Sequence, residues 1–222
     1  HRLLAVLAGA GYVRQDARTR QYHLSLKLLE LGAKVRADLD LVSAAAPLMH
    51  ALMERSGETV NLVMFDSGEA VYVHQEASTR SMLRMFTRVG ARVPLYCSGV
   101  GKAWLALRGD ADALAYFSSI TPTAHTARTI VEPGAFLAEL ASVRERGYAM
   151  DDEEMEAGVR CVAALVFQAG GTVAGAMSIS GPGARLTRER LPELALMLKK
   201  TAAEASALLG HGEPPLRETR TA

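Results

Sequence analysis

Cysteine is scarce in this chain: Cys97 and Cys161 are the only two in 222 residues. They form neither a CxxC pair nor a disulfide framework, so a stapled secreted scaffold is excluded and a reducing cytoplasm fits best. Long hydrophobic runs are absent as well. No stretch is long enough to span a membrane, and no signal peptide is visible. Net charge of one sign is lacking: the total is +1, so the chain as a whole does not advertise a nucleic-acid partner. Metal-binding clusters are missing too, because His1, His23, His50, His74, His125 and His211 are dispersed, with no HxxxH or Cys/His grouping. Methionine does not begin the chain. With His1 first, the sequence is expected to start inside a longer gene product.

What is present is an ordinary globular composition, 49% hydrophobic and 22% charged, sufficient for a sizeable core in one large domain or two small ones. The charge is unevenly spread. Residues 1–36 carry seven basic side chains (Arg2, Arg14, Arg18, Arg20, Lys27, Lys34, Arg36) against Asp16 and Glu30. A basic end on a near-neutral body suggests a local anionic partner; the plainer alternative is the solvated face of a surface helix.

"HRLLAVLAGAGYV" opens with Leu3, Leu4 and Leu7 as one helical stripe, and Gly11 stands where a C-cap glycine belongs. Tyr12–Val13 and Tyr22–Leu24 read as short strands around a polar turn at Asp16–Arg20. Helix, strand, basic turn and strand make the C-terminal half of a winged helix-turn-helix, whose helix enters the major groove and whose wing reaches phosphate or the minor groove. A hairpin after a helix is also common in proteins that never touch DNA.

Downstream, Ser25 is a plausible N-cap for "LKLLELGAKVRADL". Leu41, Ala45, Leu48 and Leu52 mark one face of a second helix that ends at Gly57. "TVNLVMFDSGEAVYVHQEA" is a hairpin around Asp66–Glu69, and "SMLRMFTRVGARVPL" an extended stretch punctuated by Gly90. Helices are expected after Ser98, over 110–118, between Pro133 and Gly147, and from near Thr187 to about Leu209, the last with a start bent or delayed by Pro192. "GHGEPPLRETRTA" has no apolar face and reads as a loose tail. Hairpins with helices between them predict an α+β domain with an antiparallel sheet.

Two stretches that read as buried strands, "GVRCVAALVF" and "VAGAMSISGP", carry polar residues. If Gly170–Gly171 form a two-residue primed turn, paired numbers sum to 341, so Cys161 faces Ser180 and Ala163 faces Ser178. All three polar groups then share one sheet face, otherwise lined by Ala163, Ala174 and Ala176. An odd-length loop or a bulge would break that register. Small residues with two hydroxyls and a thiol suit the floor of a ligand site. Residue chemistry alone leaves open that each serine bonds nearby backbone and that Cys161 is a small buried hydrophobe.

"HRLLAVLAGAGYVRQDARTRQYHLSLKLLELG", "SGVGKA", "DDEE", "GVRC" and "SISGP" together resemble the IclR family of bacterial transcriptional regulators, over a match that continues to about residue 209. The resemblance implies the end of a winged helix-turn-helix over 1–24, a linker helix over 25–40, a GAF-like effector-binding domain over 41–210 and a disordered tail over 211–222. It implies operator DNA contacted by His1, Arg2, Arg18 and Arg20, with the first two helices of the DNA-binding domain lying before the chain, so that residues 1–222 alone should bind DNA weakly or not at all. It implies a small carboxylate or aromatic acid effector, held by Asp151 in the loop ahead of the cysteine, by Cys161, Ser178 and Ser180, and by the Gly99 and Val100 N–H groups, under an apolar lid of Met82 and Met85. Glu156 and Gly158 would be structural. A homodimer or homotetramer and no cofactor are expected.

Competing functions remain. Cys161 as the nucleophile of a hydrolase or amidase would need an exposed thiolate and a histidine base, and neither is signalled. A pure oligomerisation module is the third reading. "GVGK" is no P-loop: Tyr96 stands where the first glycine belongs, and Ala103 replaces the hydroxyl that holds magnesium.

Overall fold

The N-terminal residues fold as a helix followed by a two-stranded ribbon. The structure is a computed structural model that describes residues 2–37, 40–78 and 87–212. It divides into two compact units, His1–Asp40 and Leu41–Ala222. In the first, α1 (Arg2–Gly9) ends as Gly11 turns to φ 78° and donates to the Ala8 carbonyl. β1 (Val13–Gln15) and β2 (Tyr22–Leu24) pair antiparallel, Val13 opposite Leu24. Asp16 shapes the turn between them: its Oδ1 accepts from the N–H groups of Arg18 at 2.9 Å and Thr19 at 2.7 Å. The α1 stripe is narrower than its spacing predicts, since Leu4 and Leu7 are half-buried but Leu3 is exposed. Ser25 Oγ accepts from the Lys27 N–H and starts α2 (Leu26–Ala37), which leaves Leu26, Leu29 and Val35 exposed.

The second unit is the expected α+β architecture. Its elements run α3 (Asp40–Ser56), β3 (Thr59–Asp66), β4 (Glu69–Glu76), β5 (Arg92–Pro94), α4 (Gly99–Arg108), α5 (Asp110–Ser119), α6 (Pro133–Arg146), β6 (Ala149–Asp152), β7 (Val159–Phe167), β8 (Val173–Pro182) and α7 (Leu191–Leu208). The six strands form one antiparallel sheet in the order β5-β4-β3-β8-β7-β6. The period of two splits its side chains. Val63, Ala163 and Ala176 join a core with α4, α5 and α6, including Phe117, Phe136 and Leu140. Val162, Ala164 and Val166 alternate to the other face, and α7 packs on β7 and β8. The β3–β4 turn is primed, with Ser67 and Gly68 both at positive φ. On α3 the buried positions are Leu41, Val42, Ala45, Met49 and Leu52; Leu48, expected on that face, is half-buried and Met49 replaces it.

Three local expectations are corrected. The β7–β8 connection is not a two-residue turn. It spans Gln168–Thr172, closed by the Gln168 N–H on the Thr172 carbonyl, although Gly170 and Gly171 both take left-handed φ. This five-residue loop pairs Phe167 with Val173, one step out of the expected register, and an extra residue at Ala174 restores it, so that Val166 faces Gly175 and Cys161 faces Ser180. Ala174 is thus the bulged residue rather than a member of the paired face. Asp151 sits on strand β6, not in a loop. His211, assigned to a loose tail, stacks on Phe167 with ring centroids 5.1 Å apart. As expected, Pro192 delays the last helix, and α7 starts at Leu191. The segment 81–86 of the expected extended stretch, and 213–222 of the tail, lie outside the described residues.

Gly101 shows how tightly α4 is seated. A Cβ there would lie 2.2 Å from the Leu95 Cα and 2.3 Å from its carbonyl oxygen. Gly101→Ala must push backbone against backbone and is expected to cost about 1–3 kcal/mol of stability in urea unfolding. A loss under ~0.5 kcal/mol would show that α4 shifts freely.

Candidate functional site

Sheet register assembles the site. Asp151 on β6 faces Cys161 on β7, and Cys161 faces Ser180 on β8. Directly opposed residues share a face, and Ser178 joins them two positions along. The first turn of α4 lies over this row: a Cβ on Gly99 would sit 2.8 Å from Cys161 Sγ and 3.3 Å from the Ala163 Cβ, so only glycine lets the helix end approach so closely. A cavity of about 100 Å³ remains between them, lined by Gly99, Val100, Asp151, Cys161, Ser178 and Ser180 among others. Ser98 caps α4, its Oγ accepting from the Gly101 N–H at 3.2 Å. The Gly99 N–H is directed at Cys161 Sγ, the Val100 N–H has no acceptor among the described residues, and the positive end of a ten-residue helix stands behind them.

The electrostatics favour neutral groups beside those donors. Burial pushes the Asp151 carboxyl up to about 7, against the pull of its hydrogen bonds: Oδ1 accepts from the N–H groups of Glu154 at 2.7 Å and Met155 at 3.3 Å. Burial also pushes the Cys161 thiol up to about 12, with Asp151 adding to the effect. Such a thiol is neutral at physiological pH and no nucleophile, and no histidine lines the cavity among the described residues. Tyr72 projects into the same space, its phenol held well above the ordinary range by burial and by Cys161 and Asp151, and its hydroxyl has no hydrogen-bond partner among the described residues. Arg92 lines the mouth but pairs with Asp66 and Glu69.

Sequence reasoning missed Tyr72 and the amides beneath the serines. Asn61, fully buried on β3, donates through Nδ2 to Ser180 Oγ at 3.2 Å and Ser178 Oγ at 3.4 Å. Gln75 on β4 donates to Asn61 Oδ1 at 2.9 Å and to Thr87 Oγ1 at 2.5 Å. The serines therefore bond a side-chain amide and not neighbouring backbone, and among the described residues neither donates its own hydroxyl proton. The available signal was a buried-strand asparagine, which needs a partner as much as the serines do.

Lys102 of "SGVGKA" turns away from the cavity. It is fully buried, in an ion pair with Glu154 and 3.3 Å from Glu139. Burial alone would lower its pKa, but Glu154 and Glu139 outweigh that and hold it above the ordinary range. A phosphate-binding lysine would point the other way.

Of the residues assigned to DNA, Arg2 is exposed on α1, and Arg18 and Arg20 are exposed on the β1–β2 turn, Arg20 at φ 60°. His1, Met82 and Met85 lie outside the described residues. Among the described residues no group of three or more His, Cys, Asp or Glu could hold a metal ion, and no helix is long and apolar enough to cross a membrane.

An antiparallel sheet with a helix end closed over a small polar cavity is the architecture of a ligand-sensing domain, here following a helix and a two-stranded ribbon. Comparison with known proteins gives the class. Residues 33–207 match the family "Bacterial transcriptional regulator IclR C-terminal". The chain belongs to the IclR family and is a transcriptional regulator, not an enzyme. It is 38% identical over 215 residues to the HTH-type transcriptional regulator KdgR of Escherichia coli, covering 97% of this chain and 81% of that protein. It is 36% identical to the HTH-type transcriptional repressor AllR of Salmonella typhimurium, covering 96% and 78%. The crystal structure of Thermotoga maritima IclR superposes with a TM-score of 0.80 at 32% identity, over 95% of this chain and 84% of that one.

Proposed function

We propose that this regulator binds operator DNA through its N-terminal unit and a small organic carboxylate in the cavity of its effector domain. The observation that carries the effector reading is convergence. Two main-chain N–H groups at a helix start, two serine hydroxyls with unplaced protons and an Asp151 carboxyl that is neutral below about pH 7 surround a space of about 100 Å³. That volume suits an acid of a few heavy atoms, such as glyoxylate or pyruvate, better than an aromatic one. Asn61 fills one lone-pair direction of each serine oxygen, leaving the hydroxyl hydrogen to donate to the ligand. Ser178→Ala and Ser180→Ala should each weaken binding of whichever of these acids binds by about 1.5–3 kcal/mol, roughly ten- to a hundredfold. Titration calorimetry checks this, and unchanged affinity in both variants would sink it.

DNA contact rests on the exposed Arg18 and Arg20 at the tip of the ribbon. In the natural full-length gene product, replacing both by Ala should weaken binding to all sequences and flatten its salt dependence. An unaltered slope of log affinity against log salt would mean that the ribbon does not touch phosphate. The exposed Leu26, Leu29 and Val35 of α2 support assembly as a homodimer or homotetramer. Free cysteines and a DNA partner fit a cytoplasmic protein.

A further inference from the structure

A second and larger space lies along α4 beyond its first turn. β6 covers the edge of β7 only as far as Ala163, so from Ala164 to Phe167 that edge has no strand neighbour on this side among the described residues. With α4 and α6 on one side of the sheet and α7 on the other, the bare edge becomes the floor of a groove of about 520 Å³. Ala103 and Ala106 of α4, Val143 of α6, Leu165 of β7 and Ala202 of α7 make it apolar. Its charged lining is of one sign. Arg144 and Lys199 border it, and no acidic residue does among the described residues. Arg144 already holds Asp110 at 2.7 Å, and His211 is stacked on Phe167. Lys199 is the available cation: its Nζ sits 2.8 Å from where a Cβ on Gly147 would be, at the rim, and no acceptor among the described residues pairs with it.

We infer that this groove is a second ligand site, taking an amphipathic organic anion of the medium-chain carboxylate class. The size falls in the range of pockets that enclose small molecules, roughly 300–1,000 Å³. Small alanine walls accept an alkyl chain along the strand edge. The cationic rim sets its polarity, with the carboxylate at Lys199 and the chain running inward. The acid of the effector cavity is excluded by chemistry, since a few-atom carboxylate has no apolar surface to bury here. The inference does not depend on the effector proposal.

Decanoate, kept below its micelle-forming concentration, is the probe, titrated calorimetrically into the full chain. One molecule should bind per chain. Lys199→Glu should weaken it at least tenfold. Ala203→Trp, at an exposed α7 position bordering the groove, should fill the mouth and abolish binding. Circular dichroism and melting temperature confirm that both variants fold. The Ser178→Ala/Ser180→Ala double variant should bind decanoate as the parent does. Three results would overturn the inference: no binding by the parent chain, equal binding by Lys199→Glu and Ala203→Trp, or loss of binding in the serine double variant, which would move decanoate to the effector cavity. Binding that appears only after residues 213–222 are removed would assign the groove to the chain's own C-terminal segment and overturn it as well.

Discussion

Lys102→Met should lower stability by about 3–5 kcal/mol, because it breaks a buried ion pair by deleting one partner. Lys102 is 1% exposed, and its ammonium is the only cation that reaches Glu154 among the described residues. Glu139 keeps Arg146 at 2.7 Å, but Glu154 keeps only the Asp152 main-chain N–H, and its Oε2 is already without a hydrogen-bond partner. Methionine fills most of the volume, so the loss is electrostatic rather than a cavity effect. Arg is not expected to rescue, since a planar guanidinium does not fit a socket shaped for an ammonium. The deficit has a pH signature. Burial already pushes the Glu154 carboxyl upward, and without Lys102 it rises further. Protonation then relieves the buried charge, so the gap between variant and parent should be smaller at pH 5 than at pH 8. Urea unfolding at both pH values, with unchanged m, measures it. A deficit below ~1 kcal/mol, or one independent of pH, would show that Glu154 finds water or another donor.

The same ion pair explains why a lysine in a glycine-rich stretch misleads. The spacing in "SGVGKA" already ruled out a P-loop, but it could not say where Lys102 points. That depends on Glu154, more than fifty residues away and brought under α4 by β6. Local signals were read with more success. Gly57, Pro133 and Gly147 each bound a helix as expected, because a positive φ or a missing N–H is a property of one residue. The β7–β8 register was right by cancellation. The assumed two-residue turn is a five-residue loop, and the bulge at Ala174 returns the strand to the register that the shorter turn would have given. Asn61 and Gln75 were not legible at all as partners of Ser178 and Ser180. Their contact requires β3 to lie beside β8, a pairing between strands far apart in the chain, and no local pattern encodes that adjacency. Cys161, Ser178 and Ser180 share one face by period-two alternation, which is local, whereas Gly99 was placed beside them only by the family resemblance. The amides that orient the serines are a product of sheet order.

Affinity for a small carboxylate should fall as pH rises through about 7, by a factor approaching ten per pH unit and near a hundredfold by about pH 9. Asp151 sets this dependence. The residue is 6% exposed and its carboxyl is pushed up to about 7 by burial, so below that pH it is neutral and can donate a proton to a ligand oxygen. Above it, the carboxylate and the ligand carry like charges across a small space. A bound anion raises the Asp151 pKa further, so above pH 7 the complex takes up about one proton that the free protein lacks. Calorimetry in two buffers of different ionisation enthalpy reads that proton directly. The free protein should show the matching effect on stability. An unfolded aspartate titrates near 3.9, and the folded one near 7. The contribution of Asp151 is therefore fully present below about pH 4 and is lost as pH rises through about 7. Asp151→Asn tests both effects without disturbing the turn, because the amide oxygen can still accept from the N–H groups of Glu154 and Met155. The variant should bind with an affinity nearly flat between pH 6 and 9 and should lose the proton uptake. A parent affinity that is flat over the same range, or an equal slope in Asp151→Asn, would mean that Asp151 stays ionised and only holds the β6 turn, and that the cavity selects its acid through the Gly99 and Val100 N–H groups and the serines alone.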